Sequence, residues 1–147
     1  MKKILLALGL VVTMGITSAF ADEVKISPKV KEAFNKEFSK ATEVSWEARS
    51  DYYKAAFTMY DQKISAYYSA EGDLISITRY ISSLQLPLNV LTELKNDYSH
   101  YWIKDLIEVN NSEGTHYFVT LENADNILIL KSTNSGSWKS YEKKTKS

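Results

Sequence analysis

His100 and His116 are the two side chains of this sequence able to act as an imidazole base, and neither stands in a pattern that catalysis uses. His100 lies in Ser99-His100-Tyr101, after a helical pattern, and His116 lies in a stretch of strand character. A nucleophilic mechanism needs a Ser or Cys within reach of the base and a third group that orients that base. No nucleophile-elbow motif surrounds any serine, and cysteine is absent. Two lone histidines 16 residues apart, without thiols, do not supply a zinc set. Asp51, Asp61, Glu71 and Asp73 fall at predicted turns, where carboxylates satisfy local backbone donors. They form no run of alternating oxygen ligands of the calcium-loop kind. Gly72, Gly114 and Gly136 are isolated, so no loop is built to cradle phosphate. The expectation is a protein without catalytic residues, metal or cofactor.

Tyrosine is the residue type that stands out, with ten in the chain and all of them beyond residue 21. Strand alternation places Tyr53 and Tyr68 with the core set Phe57, Met59 and Ile64. On the same argument Tyr52, Tyr60, Tyr67 and Tyr80 point the other way, beside Lys54, Thr58 and Lys63. A tyrosine covers large apolar area at small entropic cost while its hydroxyl stays wet, which suits a recognition surface. These four residues are the candidate partner-binding set. Competing explanations are cross-strand pairs that only stabilise an open sheet face, or packing of these faces between two halves of the molecule.

The elements that position these side chains follow from the period of the apolar residues. Met1-Lys2-Lys3 is a basic start, Ile4 to Ile16 an apolar run of 13 residues, and Thr17 to Ala21 a small-residue cleavage site. The run is too short for a bilayer, which needs about 20 apolar residues. Residues 1–21 therefore read as a signal peptide, cleaved near Ala21, and the mature chain as periplasmic or extracellular with no membrane span. The mature chain keeps 16 basic against 18 acidic residues, a net charge of −2 and no footprint for nucleic acid. With 44% hydrophobic and 24% charged residues it is an ordinary globular composition, and without disulfides its core alone must hold it.

Ser27-Pro28 predicts a helix start, followed by Val30, Ala33, Phe34 and Phe38 at helical spacing. From Thr42 the period is two: Val44, Trp46 and Ala48 predict one strand, and Tyr53, Ala55, Phe57 and Met59 a second. Ile64 to Tyr68 predicts a third and Leu74 to Ile81 a fourth, with a turn on Gly72 between the last two. Leu86-Pro87 opens a second helix with Leu88, Leu91, Leu94 and Tyr98 on one side. Strands at Tyr101 to Val109, Thr115 to Leu121, Ile127 to Lys131 and Trp138 to Glu142 follow, and the tail from Lys143 to Ser147 is expected to fray. Phe34 and Leu94 stand 60 apart, Phe57 and Phe118 61, Ile64 and Ile127 63, Gly72 and Gly136 64, which points to a diverged duplication. The fold class is α+β: two repeated units, 22–83 and 84–147, each a helix packed on an antiparallel sheet of about four strands.

This order of residues resembles the PepSY-like, β-lactamase-inhibitor-like family of small secreted bacterial proteins of the Bacteroidetes type. The resemblance rests on Ala33-Phe34 with Phe38, Ala41-Thr42-Glu43-Val44-Ser45-Trp46, Tyr53-Lys54-Ala55-Ala56-Phe57, Ala66-Tyr67-Tyr68 with Glu71-Gly72, and Leu86-Pro87. It spans nearly all of the mature chain and implies a helix on an antiparallel sheet, present twice. The second half is more polar than the family pattern. The resemblance implies no activity, since its inhibitor-like label concerns fold, and fold alone does not transfer function.

These readings combine into a secreted, non-enzymatic binding module that docks an exported protein or peptide through its tyrosine-rich sheet face, as an inhibitor or an envelope scaffold. The alternative is a small apolar ligand held in a crevice between helices and sheet, lined by Trp46, Phe57 and Trp102.

Overall fold

The computed structural model describes residues 24–134 and 136–147. The predicted signal peptide and its cleavage at Ala21 lie outside the described residues. Helix α1 (Pro28–Glu37) precedes strands β1 (Thr42–Ala48), β2 (Tyr53–Met59), β3 (Gln62–Tyr68) and β4 (Leu74–Tyr80). A short 3-10 turn leads to helix α2 (Leu88–Asp97) and strands β5 (Trp102–Asn111), β6 (Gly114–Glu122), β7 (Asn126–Thr133) and β8 (Lys139–Thr145). All eight strands pair antiparallel in sequence order, so the meander forms one continuous sheet.

Both helices lie on the same face of that sheet. Val30, Phe34 and Phe38 of the α1 region pack on Ala55, Phe57, Ala66 and Tyr68. The rings of Phe34 and Phe57 meet edge-on at 5.1 Å, as do Phe34 and Trp46 at 5.1 Å, and Phe38 and Phe57 meet at a tilt, 4.8 Å apart. A second cluster joins Val90 and Leu94 of α2 to Leu106, Tyr117, Val119, Leu121, Leu128 and Leu130. Trp138 clamps it: the indole N–H donates to the Val90 carbonyl at 2.9 Å, tying the start of β8 to α2. Burial of each large apolar side chain stabilises by about 1.5–3 kcal/mol, so each helix is held by the face it covers.

The two clusters do not merge. Between them, on the helix side of β4 and β5, the Arg79 guanidinium donates to both carboxylate oxygens of Glu108, at 2.8 and 3.3 Å, and to Gln62 Oε1 at 2.9 Å. Asn110 donates to Glu108 at 3.0 Å, and Thr115 donates to Asn110 at 2.6 Å. The hydrogen-bonded Glu108 carboxylate pushes the Arg79 pKa above its ordinary value. The seam between the two cores is therefore polar and satisfied, a condition buried charge requires.

Four expectations are corrected. Val44 is exposed instead of buried, because β1 is an edge strand and a bulge at Glu43, with φ +52°, breaks the alternation between Thr42 and Ser45. Leu88 is 79% exposed, since the buried stripe of α2 centres on Val90 and Leu94, and Leu88 falls on the opposite side of the helix. The tail is not frayed up to Thr145: it is strand β8, and Lys146 beyond it donates its N–H to Asp125 O at 2.8 Å. Two of the paired positions behind the duplication sit on opposite faces. Phe57 and Ile64 belong to the helix side, whereas the register puts Phe118 and Ile127 on the other. Phe34 and Leu94 do correspond, each accepting the N–H that caps its helix, from Phe38 and from Tyr98.

Candidate functional site

The face without helices carries a hollow of about 460 Å³ over strands β1 to β4, reaching Ile107 of β5. Its origin is a transverse row of small side chains. Ser45 pairs with Ala56, Ala56 with Ser65, and Ser65 with Thr78, so four strands in succession present little volume at one level of the sheet. The rows on either side are larger. One holds Lys54 opposite Tyr67, and the other holds Thr58 opposite Lys63 with Tyr80 and Ile107 beyond. Large neighbours around a small floor make a concavity.

Tyr67 forms one wall and is only 9% exposed. The Tyr52 ring meets it edge-on at 5.5 Å and the Lys54 ammonium lies 5.9 Å from its centroid. Burial pushes the Tyr67 phenol pKa up, with Tyr52, Glu47 and Tyr80 adding to the rise and the Thr78 hydroxyl opposing it. The ring is thus a neutral phenol at physiological pH. Tyr80 stands at the opposite corner, 60% exposed. At the bulge, the Glu43 carboxylate accepts a hydrogen bond from the Thr58 hydroxyl at 2.7 Å, which turns the acid onto this face. A positive φ at a glutamate costs strain of about 1 kcal/mol or more, and such strain concentrates where geometry is used.

The four sequence-derived tyrosines therefore separate. Tyr52, Tyr67 and Tyr80 share the helix-free face, but the exposure expected of Tyr67 is corrected: its neighbours bury it. Tyr60 does not line the hollow. It occupies the β2–β3 turn with φ +51°, 73% exposed, under the Lys40 ammonium at 5.8 Å. Alternation cannot place a residue that has left the strand. Lys54 and Lys63 were legible beside the tyrosines; the Glu43 bulge had no sequence signal.

Further along the same face, Ile107, Val109 and His116 are buried although no helix covers them. Neither nitrogen of His116 has a hydrogen-bond partner, and its burial, with the Lys131 charge, holds its pKa below the ordinary value. His100 is an exposed turn residue. Among the described residues no group of three or more His, Cys, Asp or Glu could hold a metal ion. No described helix is long and apolar enough to cross a membrane.

The alternative crevice is corrected as well. Trp46 and Phe57 fill the aromatic cluster beneath α1, whereas Trp102 lies on the opposite, helix-free face under the Lys146 ammonium at 5.4 Å. A hollow between α2 and the sheet holds about 240 Å³, beside Leu91, Leu94 and Tyr98. That is below the range of about 300–1,000 Å³ usual for small-molecule sites.

No family model matches the chain, and no curated protein matches it in sequence. Solved structures are similar in fold. A BLIP-like protein from Bacteroides fragilis superposes with a TM-score of 0.71 at 21% identity, over 84% of this chain and 89% of that one. A DUF2874 family protein from Bacteroides uniformis gives 0.72 at 16% identity, over 81% and 88%. A protein from Bacteroides eggerthii described as a candidate periplasmic protein gives 0.73 at 13% identity, over 82% and 89%. One eight-stranded sheet carrying two helices on a single face is thus the fold of the BLIP-like and DUF2874 proteins of Bacteroides, and this chain has it.

Proposed function

We propose that the chain is an exported, non-enzymatic binding module that docks a protein or peptide on the helix-free face of its sheet. The hollow over Ala56 and Ser65, walled by Tyr67 and Tyr80, carries this reading. A concave site in which aromatic and aliphatic side chains stand among hydroxyl and charged groups is where surface residues gain most from being covered. The reading is supported by the helices sealing one face only, which leaves the hollow over β1 to β4 uncovered on the other. The BLIP-like fold and the candidate periplasmic relative agree with a binding role outside the cytoplasm. We further read residues 22–83 and 84–147 as two related units, each with a ten-residue helix over its own core.

Site-specific cross-linking tests the docking role. The mature protein carrying a photoreactive residue at position 80, or at position 60 as a control, is exposed to envelope and culture fractions. One adduct formed from position 80 and not from position 60 is expected. Equal adducts from both positions, or none from either, would remove the hollow from the account.

A further inference from the structure

We infer that the hollow receives an extended, acidic segment of a partner protein, with an apolar side chain at its centre and carboxylates two residues to either side. The inference rests on the docking role proposed above and adds the chemistry of what docks.

Charge points to the sign. Lys54 and Lys63 line the hollow, and neither takes part in an ion pair among the described residues. Against these two cations stands Glu43, whose carboxylate already accepts the Thr58 hydroxyl. Arg79, whose backbone level the hollow also reaches, is neutralised by Glu108, so two lysines less one glutamate leave the hollow at +1 within a mature chain whose net charge is −2. A local surplus opposite in sign to the whole molecule selects an anionic partner.

Register points to the spacing. Lys54 is opposite Tyr67 and Lys63 opposite Thr58, so the two lysines are four residues apart along the paired strands β2 and β3. At a rise of about 3.3 Å per residue, that offset is about 13 Å. Midway between them Ala56 faces Ser65, the lowest point of the small-residue row. An extended peptide turns every second side chain to the same side, so residues i, i+2 and i+4 face the sheet together. Carboxylates at i and i+4 then reach the two ammonium groups. The side chain at i+2 enters the hollow over Ala56 and Ser65, beside Tyr67. A large apolar residue there removes its own surface and the half-buried surface of Ala56 from water.

The test uses the mature protein and a synthetic heptapeptide, acetylated and amidated, with Glu at its second and sixth positions, Phe at the fourth and Ser elsewhere. Titration is followed by amide chemical shifts at two salt concentrations. Shifts confined to the amides around positions 45, 56, 65 and 78, weakening with salt, are expected. Replacing both Glu by Gln should weaken binding about tenfold or more, and the double variant K54E/K63E should lose the acidic peptide but bind its Lys counterpart. A folded S65F variant, checked by its spectrum, should bind neither. Equal binding of the Gln peptide overturns the acidic partner and leaves the docking role standing. Absence of shifts at the hollow, or shifts elsewhere, overturns the inference altogether, and the position 80 cross-link then reports separately on the docking role.

Discussion

Tyr68 shows what a single buried phenol can and cannot do in this core. It is fully buried beneath α1, and its hydroxyl has no hydrogen-bond partner. Burial pushes its pKa up to about 12, with the Glu37 charge adding to the rise. Its folded value exceeds the unfolded value of about 10, so the stability linked to the neutral phenol is complete below pH 10 and is lost as pH rises through about 12. Tyr67, Tyr98 and Tyr117 are also raised and act in the same direction. Because no partner is lost, Tyr68→Phe should change stability at pH 7 by less than about 1 kcal/mol. It should also flatten part of the decline above pH 10. Guanidinium titrations at pH 7, 10 and 11.5 check both statements, and a large loss at pH 7 would reveal a partner for the hydroxyl. Residue identity and strand parity were enough to place Tyr68 in the core. They were not enough for Tyr67, whose burial comes from Tyr52 and Lys54 on the neighbouring chain segment.

Among the elements, the β3–β4 hairpin is the one whose turn was readable in advance and whose reason was only half visible. Gly72 takes φ +93°, as the turn predicted. The structure adds a second demand: a Cβ there would lie 3.1 Å from the Lys29 carbonyl oxygen, in the first turn of α1. Hairpin and helix therefore approach through the space a side chain would fill. Gly72→Ala should cost more than the roughly 1 kcal/mol expected of a positive φ alone. Thermal unfolding of the variant measures the cost, and a loss of a few tenths of a kcal/mol would show that α1 moves aside freely. Helix α2 teaches the converse. Leu88 and Val90 are equally apolar in sequence, and only the docking of α2 on Leu106 and Leu121 decides that Val90 is buried and Leu88 exposed.

Across the whole molecule, the two cores are joined by the β4–β5 pairing and by the polar seam of Arg79 and Glu108. Removing one member of a bidentate, mostly enclosed pair strands the other, so Glu108→Ala should destabilise by about 2–3 kcal/mol. The double change Arg79→Met with Glu108→Leu should recover much of that loss, because apolar side chains fit between two apolar clusters. A double-mutant cycle by denaturant unfolding measures the coupling. Equal losses in the single and double variants would mean that the seam holds the halves by charge alone.

Periodicity and punctuation by themselves determined the element order, the two helix starts at Pro28 and Pro87, the hairpin glycine and the side of the sheet on which most residues lie. These are local properties, set within a few residues by alternation, proline and glycine. The hollow, the burial of Tyr67, the turn position of Tyr60 and the Arg79–Glu108 seam were decided by tertiary structure alone. Each depends on which residues of different strands stand opposite one another, and pairing register is a relation between segments far apart in the chain that no single segment encodes.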